Sequence, residues 1–515
     1  MTDYINGSTT IRPFYTYEFN RSGFENLLTS AAFSGINRQV LVEELKKQAG
    51  LVDNTGAKTM AYITSLQEQN VYTVTTGHQL CLFTGPLYFV YKILSAINLC
   101  ETLQAAFPRK QFVPVYWMAS EDHDFAEVNH AHVFGKTITW NSEQKGSVGE
   151  FRTEGIDTVL AEMKQILGNA PHAEALYQVF EKAYSGQSNL ADATRYLVNA
   201  LFGEYGLVVL DGNSKTLKSL LKKELERDIF ENLSYQQVQA TNEKLAQHYK
   251  VQVNPREINV FYKSQQQRDR IVSENNTFKV LNTELSFTKE QIQQLISEST
   301  DSLSPNVVLR PVYQQKILPN VAYVGGPGEL AYWLEYKAMF EAYGVTFPVL
   351  VPRQFVSFID KGTHGKLTKL GLDTRAIFEP LDELVNGFVK KENTGLDIES
   401  YKTKLSQVFD ALTQDATGID KTLQGAVEAE KQKALNGLLA VDQKITRALK
   451  QRSETDLNQL RGIKAKLFPE NTPQERYDNI SQYYCKYGAE FIRGLKEQLT
   501  YDLSTFRYVV LTETE

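Results

Sequence analysis

The chain has 515 residues, too many for one ordinary hydrophobic core, and its 42% hydrophobic and 23% charged content is a globular mixture rather than a disordered one. A formal net charge of −6 gives no overall basic field for nucleic acid, and no apolar run reaches the roughly 18 residues that a membrane span needs. Cys81, Cys100 and Cys485 form no CxxC pair, so neither a disulfide framework nor a zinc knuckle is indicated; a reducing cytoplasm fits, and MTDYINGSTTIRPFY lacks the basic and apolar regions of an export signal.

In chain order, the first clear element is VYTVTT, Val71–Thr76, whose β-branched and aromatic residues predict a strand. The polar loop GHQLCLFTGP follows. From Leu87, LYFVYKILSAINLCETLQAAF has apolar residues at helical spacing, and Pro108 ends it. FVPVYWMA, from Phe112, reads as a buried strand, which completes a right-handed βαβ unit. GLVVLDG, from Gly206, is another short strand, with a charged helix from Ser214. The stretch from about Pro255 to Pro305 is polar and irregular and reads as an insertion. NVAYVGG, ending at Gly326, predicts a strand, a helix runs from about Glu329 to Gly344, and FPVLVP follows from Phe347. These elements predict an α/β class with a doubly wound sheet.

After about Asp373 the pattern changes. Apolar residues recur mostly every three or four positions, through Ile398, Tyr401, Leu405, Val408, Leu412, Ile419, Leu423 and Ala426. Glu430 interrupts the stripe, which resumes at Ala434, Leu438, Val441, Ile445 and Ala448. Such a stripe predicts an α-helical coiled coil. As one helix it would span roughly 75 Å, so a reversal is expected at Asp415–Gly418, making a hairpin whose stripe favours a homodimer. Pro469 breaks the helix, a last helix is expected from about Arg476 to Leu499, and FRYVVL, from Phe506, is expected to return to the sheet. The expected domains are a core over 1–373 with inserts near 130–205 and 250–305, a coiled coil over 374–499, and a final strand over 500–515.

Ligands in open α/β sheets bind outside the carboxyl ends of the strands. Four polar loops leave such ends. The first offers His78 as a general acid or transition-state donor and Gln79 as an orienting amide, beside Gly77. Thr84 and Gly85, before the helix, suggest exposed N–H groups for an anion, with Tyr88 and Lys92 just inside it. A capped turn with a satisfied histidine is the plain alternative. The second loop, Ser120-Glu121-Asp122-His123-Asp124, puts three carboxylates and a histidine after an apolar strand. Buried like charges need an ammonium, a metal or hydroxyls to satisfy them; a solvent-facing acidic turn is the other reading. No HExxH or cysteine spacing supports a metal, so none is predicted. The third loop, Gly325-Gly326-Pro327-Gly328-Glu329, allows close backbone approach. Arg310 and Arg353 lie near strand ends and could clamp a carboxylate or phosphate. Cys81 reads as a packed hydrophobe, not a nucleophile.

TGHQLCLFTGPLYFVYK, PVYWMASEDHDFAEVN, YVGGPGELAYW and LFPENTPQERYDN together resemble the characteristic segments of the bacillithiol biosynthesis cysteine-adding enzymes. The resemblance spans essentially the whole chain. It implies a Rossmann-like core with connecting inserts and a helical dimerisation domain. It implies a cytoplasmic ligase that forms a carbon–nitrogen bond, joining the carboxyl of cysteine to the amine of glucosaminyl malate. ATP or another nucleotide, with an accompanying magnesium ion, is the cofactor it implies. Related class I synthetases carry HxGH and KMSKS-type motifs; here GHQL has one histidine and no KMSKS-like run exists. A metal-dependent hydrolase built on SEDHD and a non-enzymatic coiled-coil scaffold are the competing readings.

Overall fold

Five short apolar runs pair into one parallel sheet: β1 (Val71–His78), β2 (Gln111–Met118), β3 (Val208–Asp211), β4 (Asn320–Gly325) and β5 (Val349–Pro352). The computed structural model describes residues 1–515 except 31–32, 276, 393–396, 504–507 and 513–515. The strand order is β5-β4-β1-β2-β3, the Rossmann order read from its far edge. All four pairings are parallel. Successive side chains point to opposite faces, and each face is buried in its own apolar cluster. Val113, Val115, Trp117, Leu210 and Tyr323 enter one, and Val74, Phe112, Ala322, Val324 and Val351 the other. The Rossmann-like α/β core read from the sequence is what the chain forms.

Helices cover both faces. The first, α1 (Tyr88–Ala106), packs Ala96, Leu99, Cys100 and Leu103 on one side. The second, α2 (Arg310–Ile317), packs Val312, Tyr313 and Ile317 on the other. Each such fully buried Leu, Ile or Val contributes about 1.5–3 kcal/mol of transfer free energy. The threonines of central β1 are reconciled with burial by Asn320: Thr75 donates to its side-chain oxygen at 2.7 Å and Thr73 at 3.2 Å. The helix expected over Glu329–Gly344 is two, α3 (Pro327–Trp333) and Lys337–Tyr343.

The 255–305 stretch is an insertion but is not irregular. It holds a five-stranded antiparallel sheet, including Val260–Ser264, Gln267–Glu274 and Leu303–Pro305. Its strands read as polar because much of their surface is only half covered. The insert between β2 and β3 carries the ribbon His130–Val133/Lys136–Thr139 and three helices, Ile156–Leu167, Ala173–Tyr184 and Leu190–Phe202.

The chain divides into Met1–Val356 with Glu475–Val509, and Ser357–Gln474 with Val510–Glu515. The second unit therefore starts before Asp373, because Ile359 and Leu367 pack with Leu457, Leu460 and Ile463 in its core. Its hairpin comprises α4 (Ile398–Ile419) and α5 (Leu423–Arg452), followed by α6 (Glu454–Leu467). Neither hairpin helix has a fully buried residue; Lys431 meets Asp410 across it at 2.6 Å. The reversal lies at Asp420–Thr422, not at Asp415–Gly418. Thr417 lies within the helix with its hydroxyl turned back to Thr413 O, and Asp420 accepts from the Thr422 N–H at 2.8 Å to make the turn. The Arg476–Leu499 helix is two, Ser481–Tyr487 and Glu490–Gln498, broken at Gly488 with φ +65°. The final strand, Tyr508–Thr512, pairs with Phe355–Ile359 in a ribbon and does not join the parallel sheet; residues 506–507 of the expected strand lie outside the described residues.

The loop after β1 makes its turn with three successive positive φ angles, at Phe83, Thr84 and Gly85. A Cβ on Gly85 would sit 2.6 Å from the Cys81 Cβ. Gly85→Ala is therefore expected to destabilise the protein by about 1–3 kcal/mol, measured as a lowered denaturation midpoint.

Candidate active site at the strand-order switch

The sheet order reverses between β1 and β4, and the crevice outside their carboxyl ends is where an open α/β sheet takes its ligand. A cleft of about 760 Å³ opens there. Gly77, His78 and Gln79 from the β1 end, Asp122 from the β2 loop, and Gly326 and Glu329 from the β4 loop all line it. All four loops read from the sequence thus converge, the fourth, Pro352-Arg353-Gln354, through Arg353 after β5.

Two ion pairs brace the crevice, one half-buried and one fully buried. Lys92, on α1 and 3% exposed, donates to both carboxylate oxygens of Glu329 at 2.8 Å and to Gly77 O. Glu329 also accepts from the Tyr323 hydroxyl at 2.8 Å and the Gly326 N–H at 2.9 Å. Burial alone would raise its pKa, but Lys92 and these donors outweigh it and hold the carboxyl below its ordinary value. Lys92 and Glu329 are consequently engaged with each other. Arg353 forms a two-pronged pair with Glu475, at 2.8 and 2.5 Å, over the face of Phe355. Its backbone N–H donates to Gly325 O. Tyr88 is shared: Arg353 and Arg476 lie over its ring, and His78 sits 5.1 Å from it.

The acidic loop separates into two sets. Gln79 donates to Asp122 at 2.8 Å and Glu127 at 2.7 Å, which holds Asp122 at the cleft. The His123 ring meets the Arg268 guanidinium at 3.0 Å. Ser120 instead bonds Asp211, Glu121 pairs with buried Lys218, and neither lines the cleft. Asp124 precedes a short helix, exposed and without a capping bond. Among the described residues no three His, Cys, Asp or Glu side chains form a group able to hold a metal.

Thr84 and Gly85 do not reach the cleft. The Phe83 N–H goes to the Tyr184 hydroxyl at 2.7 Å, the Gly85 N–H to Leu82 O, and the Leu87 N–H to Asp478 O. Asn479 closes the loop by donating to Phe83 O and Gly85 O. The anion cradle expected there is filled by the protein itself. Pro327 opens α3, whose start is likewise capped by Glu329. Cys81 is buried, and desolvation pushes its thiol pKa up to about 12, which suits packing and not nucleophilic attack.

Apart from Lys92, the cationic groups of the cleft are arginines. Arg256, Arg268, Arg270, Arg310, Arg353 and Arg476 line it. Arg310 stacks over Trp117 and Tyr323, bonds Gln314 at 3.0 Å, and has no carboxylate within ion-pair distance among the described residues. Arg268 is fixed by Ser304, Pro305 O and the Phe261 ring. Sequence reasoning missed Arg256, Arg268, Arg270, Glu475 and Arg476. One signal was present: Arg268 and Arg270 stand two apart in QRDRIVSE, on one face of a strand.

The amino-terminal Rossmann-like domain of the bacillithiol biosynthesis protein BshC matches residues 1–354, and the carboxyl-terminal coiled-coil domain of BshC matches residues 356–511. The chain belongs to the BshC family. A Flavobacterium psychrophilum protein named "Putative cysteine ligase BshC" is 39% identical over 99% of this chain and 96% of its own. A protein of the same name from Flavobacterium johnsoniae is 39% identical over 96% and 94% of the two chains. One from Bacillus cytotoxicus is 27% identical over 96% and 95%. The two-part match divides the chain within two residues of where its contacts divide it, at Val356. No helix among the described residues is long and apolar enough to cross a membrane.

Proposed function

We propose that this BshC-family chain is a cysteine ligase of bacillithiol biosynthesis, forming an amide between the carboxyl of cysteine and the amine of glucosaminyl malate. The observation that carries the reading is Arg310. Its guanidinium borders a switch-point crevice without a carboxylate partner among the described residues, so it is poised for a carboxylate such as that of malate. Asp122, held by Gln79, has lone pairs left for the cysteine ammonium or for sugar hydroxyls.

Amide formation from a free carboxylate needs activation, and a bound nucleoside triphosphate with magnesium would supply it. In the loop before α1 the N–H groups of Phe83, Gly85 and Leu87 are already engaged within the protein. The side chains that fit phosphates are Arg268, Arg270 and Arg476 on the cleft wall. The remaining work falls to the chain: binding the two substrates side by side, excluding water and handling the amine proton. The half-exposed stripe of α4 and α5, with Val408 64% exposed, supports pairing with a second copy.

The test is mass spectrometry of mixtures holding protein, cysteine, glucosaminyl malate and ATP or another nucleotide. Bacillithiol formation supports the reading. Folded protein that makes none, with normal bacillithiol in cells lacking the gene, overturns it. Arg310→Ala is expected to raise KM for glucosaminyl malate about 10- to 100-fold with little change in kcat, because a charge-assisted bond contributes about 1.5–3 kcal/mol.

A further inference from the structure

A neutral imidazole donates from one nitrogen only, and its fixed partner decides which. The Nδ1 of His78 lies 2.9 Å from the backbone oxygen of Gln79, a group that can only accept. Nδ1 therefore carries the hydrogen. Nε2 keeps its lone pair and has no protein partner among the described residues, while the ring, 8% exposed, lines the cleft. Tyr88 and Phe89, each 5.1 Å away between ring centres, clamp the ring in place. The role read from the sequence, a hydrogen-bond donor, is the one this tautomer does not permit at Nε2.

We propose that Nε2 of His78 is the proton acceptor for the attacking amine, an assignment that rests on the amide-forming reading above. As the amine nitrogen gives its electron pair to the acyl carbon, the new C–N bond makes its N–H acidic. One proton passes to Nε2 and forms an imidazolium. The bond from the acyl carbon to its oxygen leaving group breaks, and the oxygen departs with the bonding pair. The imidazolium then releases the proton to solvent, which restores the starting tautomer.

The surroundings keep the acceptor available. Burial first, then the charge of Lys92 from α1 and of Arg353 after β5, press the ring's pKa down to about 3; Gln79 O and Glu329 from α3 act the other way. Cys81 and Tyr88, the other titratable groups against the ring, are neutral at working pH because burial raises both. The free ring is thus neutral near pH 7. An anionic substrate on Arg310 adds negative charge to this setting and strengthens Nε2 as a base when the amine is present.

His78→Asn keeps a polar group near Nδ1 and removes Nε2. Its kcat is expected to fall about 10²- to 10⁴-fold with KM little changed, and added imidazole is expected to restore part of the rate. A merely structural role would not respond to imidazole. In wild-type protein labelled with nitrogen-15 histidine, NMR is expected to show His78 with hydrogen on Nδ1 and a bare Nε2. Unchanged kcat in His78→Asn, a loss that imidazole does not relieve, or hydrogen found on Nε2 would each overturn the assignment. Wild-type protein that forms no amide at all would instead overturn the reading beneath it, and the NMR result would still decide the tautomer.

Discussion

Lys92→Met is expected to destabilise the first unit by about 1.5–3 kcal/mol, measured as a lowered urea midpoint of its unfolding transition. The size follows from what the substitution leaves behind. Lys92 is buried on α1 and bonds inside the crevice to Gly77 O and to both oxygens of Glu329. Without it, Glu329 keeps only the Tyr323 hydroxyl and the Gly326 N–H as partners. Glu329, 26% exposed at the cleft, is then left with two neutral donors and partial solvation, so the cost is that of a partly stranded charge. Burial lowers the pKa of Lys92 itself, so the ammonium is already held at some expense. The same accounting gives the pH dependence. The folded-state pKa of Glu329 lies below its ordinary value, so its stabilisation is present above the ordinary glutamate range and is lost as pH falls through the folded pKa. Lys92→Met weakens that depression, so the gap between variant and wild type should narrow as pH falls below about 4. The double variant Lys92→Met/Glu329→Gln should be less destabilised than Lys92→Met alone, because it no longer strands a charge. A single variant within about 0.5 kcal/mol of wild type would show that water already screens the pair.

The part of this crevice that was legible in the sequence is the part set by short-range pattern. Apolar runs ending in GHQ, SEDHD, GGPGE and PRQ fix four strand ends, and parallel βαβ connections put those ends on one edge. Chemistry that depends on distant partners was not legible. Arg353 reads as a free clamp until Glu475, 122 positions on, is found beside it. Thr84 and Gly85 read as an open cradle because Asn479, which seals them, belongs to another segment. Ser120 and Glu121 look equivalent to Asp122 in SEDHD. Only the fold turns the first two towards Asp211 and Lys218 and leaves the third at the cleft. The arginine wall was hidden for another reason. Its strands have half-solvated surfaces, so they lack the apolar run that identifies a buried strand, and alternation over so few residues is a weak signal.

The second large effect follows from the Arg353–Glu475 partnership. Arg353→Met and Glu475→Gln are each expected to destabilise the first unit by about 3–5 kcal/mol, since Arg353 is 1% and Glu475 2% exposed and each would strand its partner. The guanidinium and carboxylate meet as two parallel bonds at 2.8 and 2.5 Å, a geometry lysine cannot copy, so Arg353→Lys should recover only part of the loss. Combining Arg353→Met with Glu475→Gln should cost less than the sum of the two single changes, and denaturation of all four proteins measures that coupling directly. The pair also has a positional consequence. Glu475 is anchored to the end of β5, and the next residue, Arg476, lies over Tyr88 at the cleft. Loosening Glu475 should therefore release Arg476 from the cleft wall. At temperatures where Glu475→Gln is still folded, the KM of an anionic substrate should rise while the fraction of active protein stays constant. If KM is unchanged and only stability falls, the pair supports the fold alone, and Arg476 takes its position from Tyr88 without help from its neighbour.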